Sequence, residues 1–178
     1  MKKIFIVTAI ISFTAFSGFA QNDHNSHQNK TSNTKDTGKQ NNLLQLLESY
    51  YAIKDALIAG NSSSASTGAD QFIKVVNTVD YKIISEGNIN ALLKDANKIA
   101  EGKDIDKQRQ VFANFSNNMA TIAKAIKLST EPVYLQYCPM KKASWLSNEA
   151  AIKNPYYGKQ MLSCGKVTET INPPAGQN

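Results

Sequence analysis

Two cysteines and two methionines form the chemically distinctive part of this chain. Tyr137-Cys138-Pro139-Met140 and Met161-Leu162-Ser163-Cys164-Gly165 hold both cysteines and, with Met1 set aside, two of the three remaining methionines. Four soft sulfur groups thus fall within 27 residues, from Cys138 to Cys164. Thiolates and thioethers together select Cu(I)-type ions, so Cys138, Met140, Met161 and Cys164 are the candidate metal ligands. In an oxidising compartment the same two cysteines are equally a candidate disulfide. Closing that loop of about 25 residues would contribute roughly 3–4 kcal/mol by constraining the unfolded chain. Both chemistries remain open on the sequence. Zinc fits less well, because a structural zinc site takes four Cys/His ligands and this region offers two cysteines and no histidine. A Cys-x-x-Cys motif and a Cys–His nucleophile pair are both absent, so the sequence predicts no enzyme.

The residues around the sulfurs must position them. Val133-Tyr134-Leu135-Gln136-Tyr137 is a short strand-like run, and Lys166 to Ile171 alternates around Val167 and Ile171. Pairing the two antiparallel with Val133 opposite Glu169 would set Cys138 opposite Cys164 at one end of a hairpin. Between them, Asn148 to Ile152 reads as one or two helical turns. Asn154-Pro155-Tyr156-Tyr157-Gly158 reads as a turn, with proline fixing its own φ and glycine tolerating φ > 0. Tyr137, Trp145, Tyr156 and Tyr157 are candidate aromatic anchors.

Ahead of this segment the apolar period is that of helices. Leu43, Leu46, Tyr50, Ile53 and Leu57 are spaced 3-4-3-4, with Gly60 as a C-terminal cap. A second stripe runs through Ala69, Phe72, Val76, Val79 and Ile83, with Thr67 and Asp70 as a capping pair and Gly87 at its end. Asn88 is a candidate cap for a third helix (Ile89, Leu92, Ala96, Ile99, ending at Gly102), and Asp104 for a fourth (Phe112, Phe115, Met119, Ile122, Ile126). Pro132 stops anything beyond Thr130. The expected fold is therefore all-α: an antiparallel four-helix bundle with a small irregular C-terminal segment, a short hairpin or loop bearing the Cys/Met motif. Met119 lies among phenylalanines and reads as core. The stripes carry no histidine, so the usual ligands of bundle haem and di-iron sites are missing.

Composition sets the compartment. Residues 1–20 read as a secretory signal: Met1-Lys2-Lys3, an apolar run from Ile4 to Phe16, then Gly18-Phe19-Ala20 before Gln21. Residues 21–41 are polar and read as a disordered leader, whose His24 and His27 are a weak metal-collecting candidate. Residues 42–171 form the folded domain and 172–178 a flexible tail. The net charge of +6 falls to +4 without Lys2 and Lys3, and no cluster of basic and aromatic residues points to nucleic acid. The mature chain is expected in the periplasm or secreted, without membrane insertion.

Tyr137-Cys138-Pro139-Met140, Trp145-Leu146-Ser147, Ile152 to Met161 with its Asn154-Pro155-Tyr156-Tyr157-Gly158 core, and Cys164-Gly165 together resemble an uncharacterised exported helical domain family, across roughly residues 43–171. Its members occur alone with a signal peptide or fused to the C-terminus of membrane-fusion subunits of copper/silver efflux systems. They often carry a histidine just ahead of Tyr-Cys-Pro-Met, where this chain has Leu135-Gln136. The resemblance implies a periplasmic copper-type accessory protein. Its partner would be a metal-efflux membrane-fusion protein or a metallochaperone. The alternative is a disulfide-stapled helical interaction module without a metal.

Overall fold

The computed structural model describes residues 31–171, with side chains from residue 38 onward. Residues 1–20, read above as a signal peptide, His24, His27 and residues 172–178 lie outside the described residues. Four helices come first: α1 (Thr31–Ala59), α2 (Ser62–Val76), α3 (Glu86–Glu101) and α4 (Ile105–Ala125). Three strands follow: β1 (Val133–Cys138), β2 (Ala143–Ser147) and β3 (Lys166–Ile171). The expectation of an all-α chain is therefore corrected. The C-terminal segment is a three-stranded antiparallel sheet of order β2-β1-β3, and the molecule combines α and β.

The helical stripes are buried where their spacing puts them. Leu46, Tyr50, Ile53, Leu57, Phe72, Leu92, Ile99, Phe112, Phe115 and Met119 are all fully buried. Successive helices pack side by side over short connections, which makes neighbours antiparallel. α1 begins inside the polar stretch read as leader, although its buried stripe starts only at Leu43.

The caps differ from expectation in two places. Asn61, not Thr67, caps α2: its Oδ1 accepts from Ser64 N–H at 2.9 Å. Ser85, not Asn88, caps α3, and Gly87 lies inside that helix rather than ending the previous one. Asp104 caps α4 as expected, accepting from the amides of Asp106 and Lys107. Gly60, at φ +74°, ends α1 with Gly60 N–H on Leu57 O and Asn61 N–H on Ala56 O. One dipeptide thus closes a helix and opens the next. α2 can lie close on α1 because Ala65, Gly68 and Ala69 are small; a Cβ on Gly68 would stand 3.2 Å from Ile53 Cγ1.

An aromatic chain joins the helices to the sheet. Phe72 meets Phe115 edge-on at 4.8 Å, Tyr50 stacks on Phe112 and Phe115, Phe112 meets Tyr156, and Tyr156 meets Trp145 edge-on. β2 packs against α4. Its backbone is tied to the core where Leu146 N–H donates to the buried Tyr50 hydroxyl at 3.0 Å, which in turn bonds Ser116. The helical turns expected over Asn148–Ile152 do not form. The carbonyls of Glu149, Ala150 and Ala151 turn instead toward Gln136, whose Nε2 donates to them at 2.8–3.3 Å.

Candidate functional site

Cys138 ends the central strand, β1, which hydrogen-bonds on both sides. The β1–β3 pairing is antiparallel as expected, but in a different register: Val133 faces Ile171, and Leu135 faces Glu169. An irregularity between Leu135 and Gln136 then shifts the ladder so that Tyr137 faces Lys166. The bulge re-aims the strand end. The two sulfurs still meet, with Cys138 Sγ and Cys164 Sγ 3.9 Å apart and both thiols free.

The two thiols sit in different surroundings. Cys138 is fully buried, and its sulfur accepts from Lys141 N–H at 3.4 Å, at the start of the turn into β2. Cys164 is half-buried. Burial, and then the neighbouring Cys138, push its thiol above the ordinary value, while the Met140 backbone amide pulls the other way. Burial and Cys138 both favour the protonated thiol over the thiolate, so a metal ion would have to displace its proton.

The excursion that delivers Cys164 is held by Asn154, which is fully buried. Its Nδ2 donates to Cys164 O at 2.7 Å, its Oδ1 accepts from Tyr156 N–H at 2.8 Å, and its own N–H donates to Leu162 O at 2.8 Å. Tyr156 is buried between Phe112 and Trp145, with its hydroxyl on Ser144 O. Pro155 is buried and Tyr157 half-buried. Gly158 is required at its position: φ is +53°, and a Cβ there would meet Arg109 Nη2 at 2.6 Å and Ile58 O at 2.8 Å. Gly165 likewise lets the chain pass close to the Trp145 ring and Tyr137 O.

Met140 lies on the β1–β2 turn with 63% of its surface exposed. Met161 is half-buried, and its carbonyl accepts from Cys164 N–H at 3.1 Å. The fold thus brings the two thiols into contact, with Met140 two residues after Cys138 and Met161 three residues before Cys164. Among the described residues, no group of three or more His, Cys, Asp or Glu could hold a metal ion.

Sequence reasoning overlooked Arg109, the only arginine of the chain. From α4 its Nη2 donates to Leu57 O at the end of α1 and its Nε to Pro155 O, while Nη1 pairs with Asp106. A planar guanidinium can bridge those points at once and an ammonium cannot. One arginine against nineteen lysines was the available signal. Tyr50 and Ser116 were also missed as polar groups, because both lie on apolar helical stripes.

The arrangement defines a class: a four-helix domain carrying a C-terminal antiparallel sheet at whose end two thiols, one buried and one half-buried, meet. Residues 46–131 match the model of a family described as "Protein of unknown function (DUF3347)". The match runs from the middle of α1 to the link before β1, just under half of the chain, and stops ahead of both cysteines. No curated protein and no solved structure matches.

Proposed function

We propose that this protein is a soft-metal-binding accessory protein, holding a Cu(I)-type ion between Cys138 and Cys164 with Met140 or Met161 as a further ligand. The observation that carries this reading is the 3.9 Å separation of the two sulfurs. With metal–sulfur bonds of about 2.3 Å, an ion between sulfurs 3.9 Å apart subtends an S–M–S angle of about 116°. That is close to trigonal and leaves a third position for a thioether. A disulfide needs sulfurs about 2.05 Å apart, so they would have to close by roughly 1.9 Å. Two soft thiolates with a soft thioether favour a monovalent ion over zinc, calcium or magnesium. The resemblance of the Tyr-Cys-Pro-Met and Asn-Pro-Tyr-Tyr-Gly elements to an exported family associated with copper/silver efflux supports a periplasmic role beside an efflux membrane-fusion protein or a metallochaperone.

The test is titration of the reduced protein with Cu(I) against a competing chromophoric chelator, beside Cys138→Ser and Met161→Leu. One equivalent bound, weakened in the serine variant by at least about a hundredfold and in the leucine variant measurably, is the expected result. No uptake above that of the unfolded chain refutes it. The second reading, a disulfide-stapled interaction module, is favoured by the same contact between sulfurs. A thiol assay on protein isolated without reductant separates the two: near-zero free thiol supports the staple.

A further inference from the structure

The end of the sheet that bears the dithiol is basic and apolar at once. Lys141 and Lys142 occupy the turn from β1 to β2, and Lys166 opens β3 across from Tyr137. Ion pairs among the described residues engage Lys54, Arg109, Lys124 and Lys153, and none engages these three lysines. From Cys138 through Lys166 the only carboxylate residue is Glu149, which is already bound to Lys153. Of the five exposed large hydrophobic side chains among the described residues, Met140 at 63% and Leu162 at 42% lie on the same stretch, and Val167 at 38% follows it directly. β3 is an edge strand, with its outer backbone groups unpaired within the sheet.

We propose that this end of the sheet docks an acidic protein surface. Met140, Leu162 and Val167 would meet an apolar centre, and Lys141, Lys142 and Lys166 would meet carboxylates around it. This rests on the metal-carrier reading for its purpose, since the ion would cross at this contact. A protein fits better than a lipid surface. Three apolar side chains bury too little to hold in a bilayer interface, and the open edge of β3 offers backbone groups in series that a partner strand can pair.

The test uses metal-free, reduced, isotopically labelled protein and two synthetic peptides, one of glutamate and leucine and one of lysine and leucine. The acidic peptide should shift amide resonances of residues 138–142 and 162–167. Its affinity should fall at least about tenfold between low and physiological salt, and as much in the triple variant Lys141→Glu/Lys142→Glu/Lys166→Glu. Equal binding of both peptides, shifts confined to other residues, or attachment to phosphatidylglycerol vesicles without peptide binding overturns the proposal. A parallel Cu(I) titration keeps the two readings apart. Peptide binding without copper uptake removes the carrier reading and leaves the docking surface; copper uptake without peptide binding removes the docking surface alone.

Discussion

Replacing Asn154 with alanine tests whether the excursion positions the second thiol. The side chain is fully buried and makes two bonds that alanine cannot, donating to Cys164 O and accepting from Tyr156 N–H. Each polar group left unpaired in the interior costs about 1–3 kcal/mol. Cys164 is half-buried, so water offsets part of its share, while Tyr156 N–H has no such relief. The expected loss is therefore about 2–4 kcal/mol, which at roughly 3–4 °C per kcal/mol lowers the melting midpoint of the metal-free protein by about 10 °C. Cys164 would lose a fixed backbone position, and outer partners of this kind are typically worth about 10–100-fold in metal affinity. Thermal circular dichroism reads the first effect and Cu(I) competition the second. Asn154→Asp keeps the acceptor but sets a carboxylate oxygen against Cys164 O in a fully buried position, so at neutral pH it should lose at least as much as alanine in both. A midpoint within about 2 °C of wild type refutes the clamp. A large loss of stability with unchanged copper affinity refutes its role in placing Cys164.

Three further outcomes are expected. Gly158→Ala should lose about 2–4 kcal/mol in urea denaturation, from the left-handed backbone and the displaced Arg109, whereas Gly87→Ala, with nothing near its Cβ inside α3, should be neutral or gain up to about 1 kcal/mol. Arg109→Lys should fail to restore the roughly 2–3 kcal/mol lost in Arg109→Met, because it cannot reach Leu57 O and Pro155 O together; recovery of most of that stability by lysine would count against the bridging role. Burial raises the phenols of Tyr50, Tyr51 and Tyr156 above the ordinary 10.0. Their folded state prefers the neutral form, so this contribution is complete below pH 10.0 and is lost as pH climbs beyond it. Absorbance at the phenolate band should show these three ionising together with unfolding; gradual ionisation in a folded chain would refute their burial.

The helices were legible because each places large apolar residues at strict 3-4 spacing. Their boundaries were less so, since Asn61, Thr67, Ser85 and Asn88 are all acceptable caps and only packing chooses among them. β2 gave no strand signal. Ala143, Trp145, Leu146 and Ser147 are all buried, so covering both faces erases the alternation that marks a strand. The meeting of the two cysteines was legible from the antiparallel pairing, but the bulge at Leu135/Gln136 was not, and the register moved with it. Asn154 and Gly158 could be read as turn residues. That one closes the excursion on Cys164 and the other makes room for Arg109, 49 positions earlier in the chain, requires the fold.

The two halves of the dithiol belong to parts of the molecule that need not open together. Cys138 is anchored in a strand bonded on both sides, whereas Cys164 lies at the end of an excursion, where Asn154 Nδ2 holds its carbonyl. Fluctuation of the excursion alone would part the sulfurs while β1 and the helices stayed intact. In native-state hydrogen exchange, the Asn154 and Cys164 amides, which donate to Leu162 O and Met161 O, should then exchange through a low-energy local opening, and those of β1 only near the global limit. An ion bridging the sulfurs would be held by the cost of that small opening, and its exchange rate set there rather than by the stability of the whole fold.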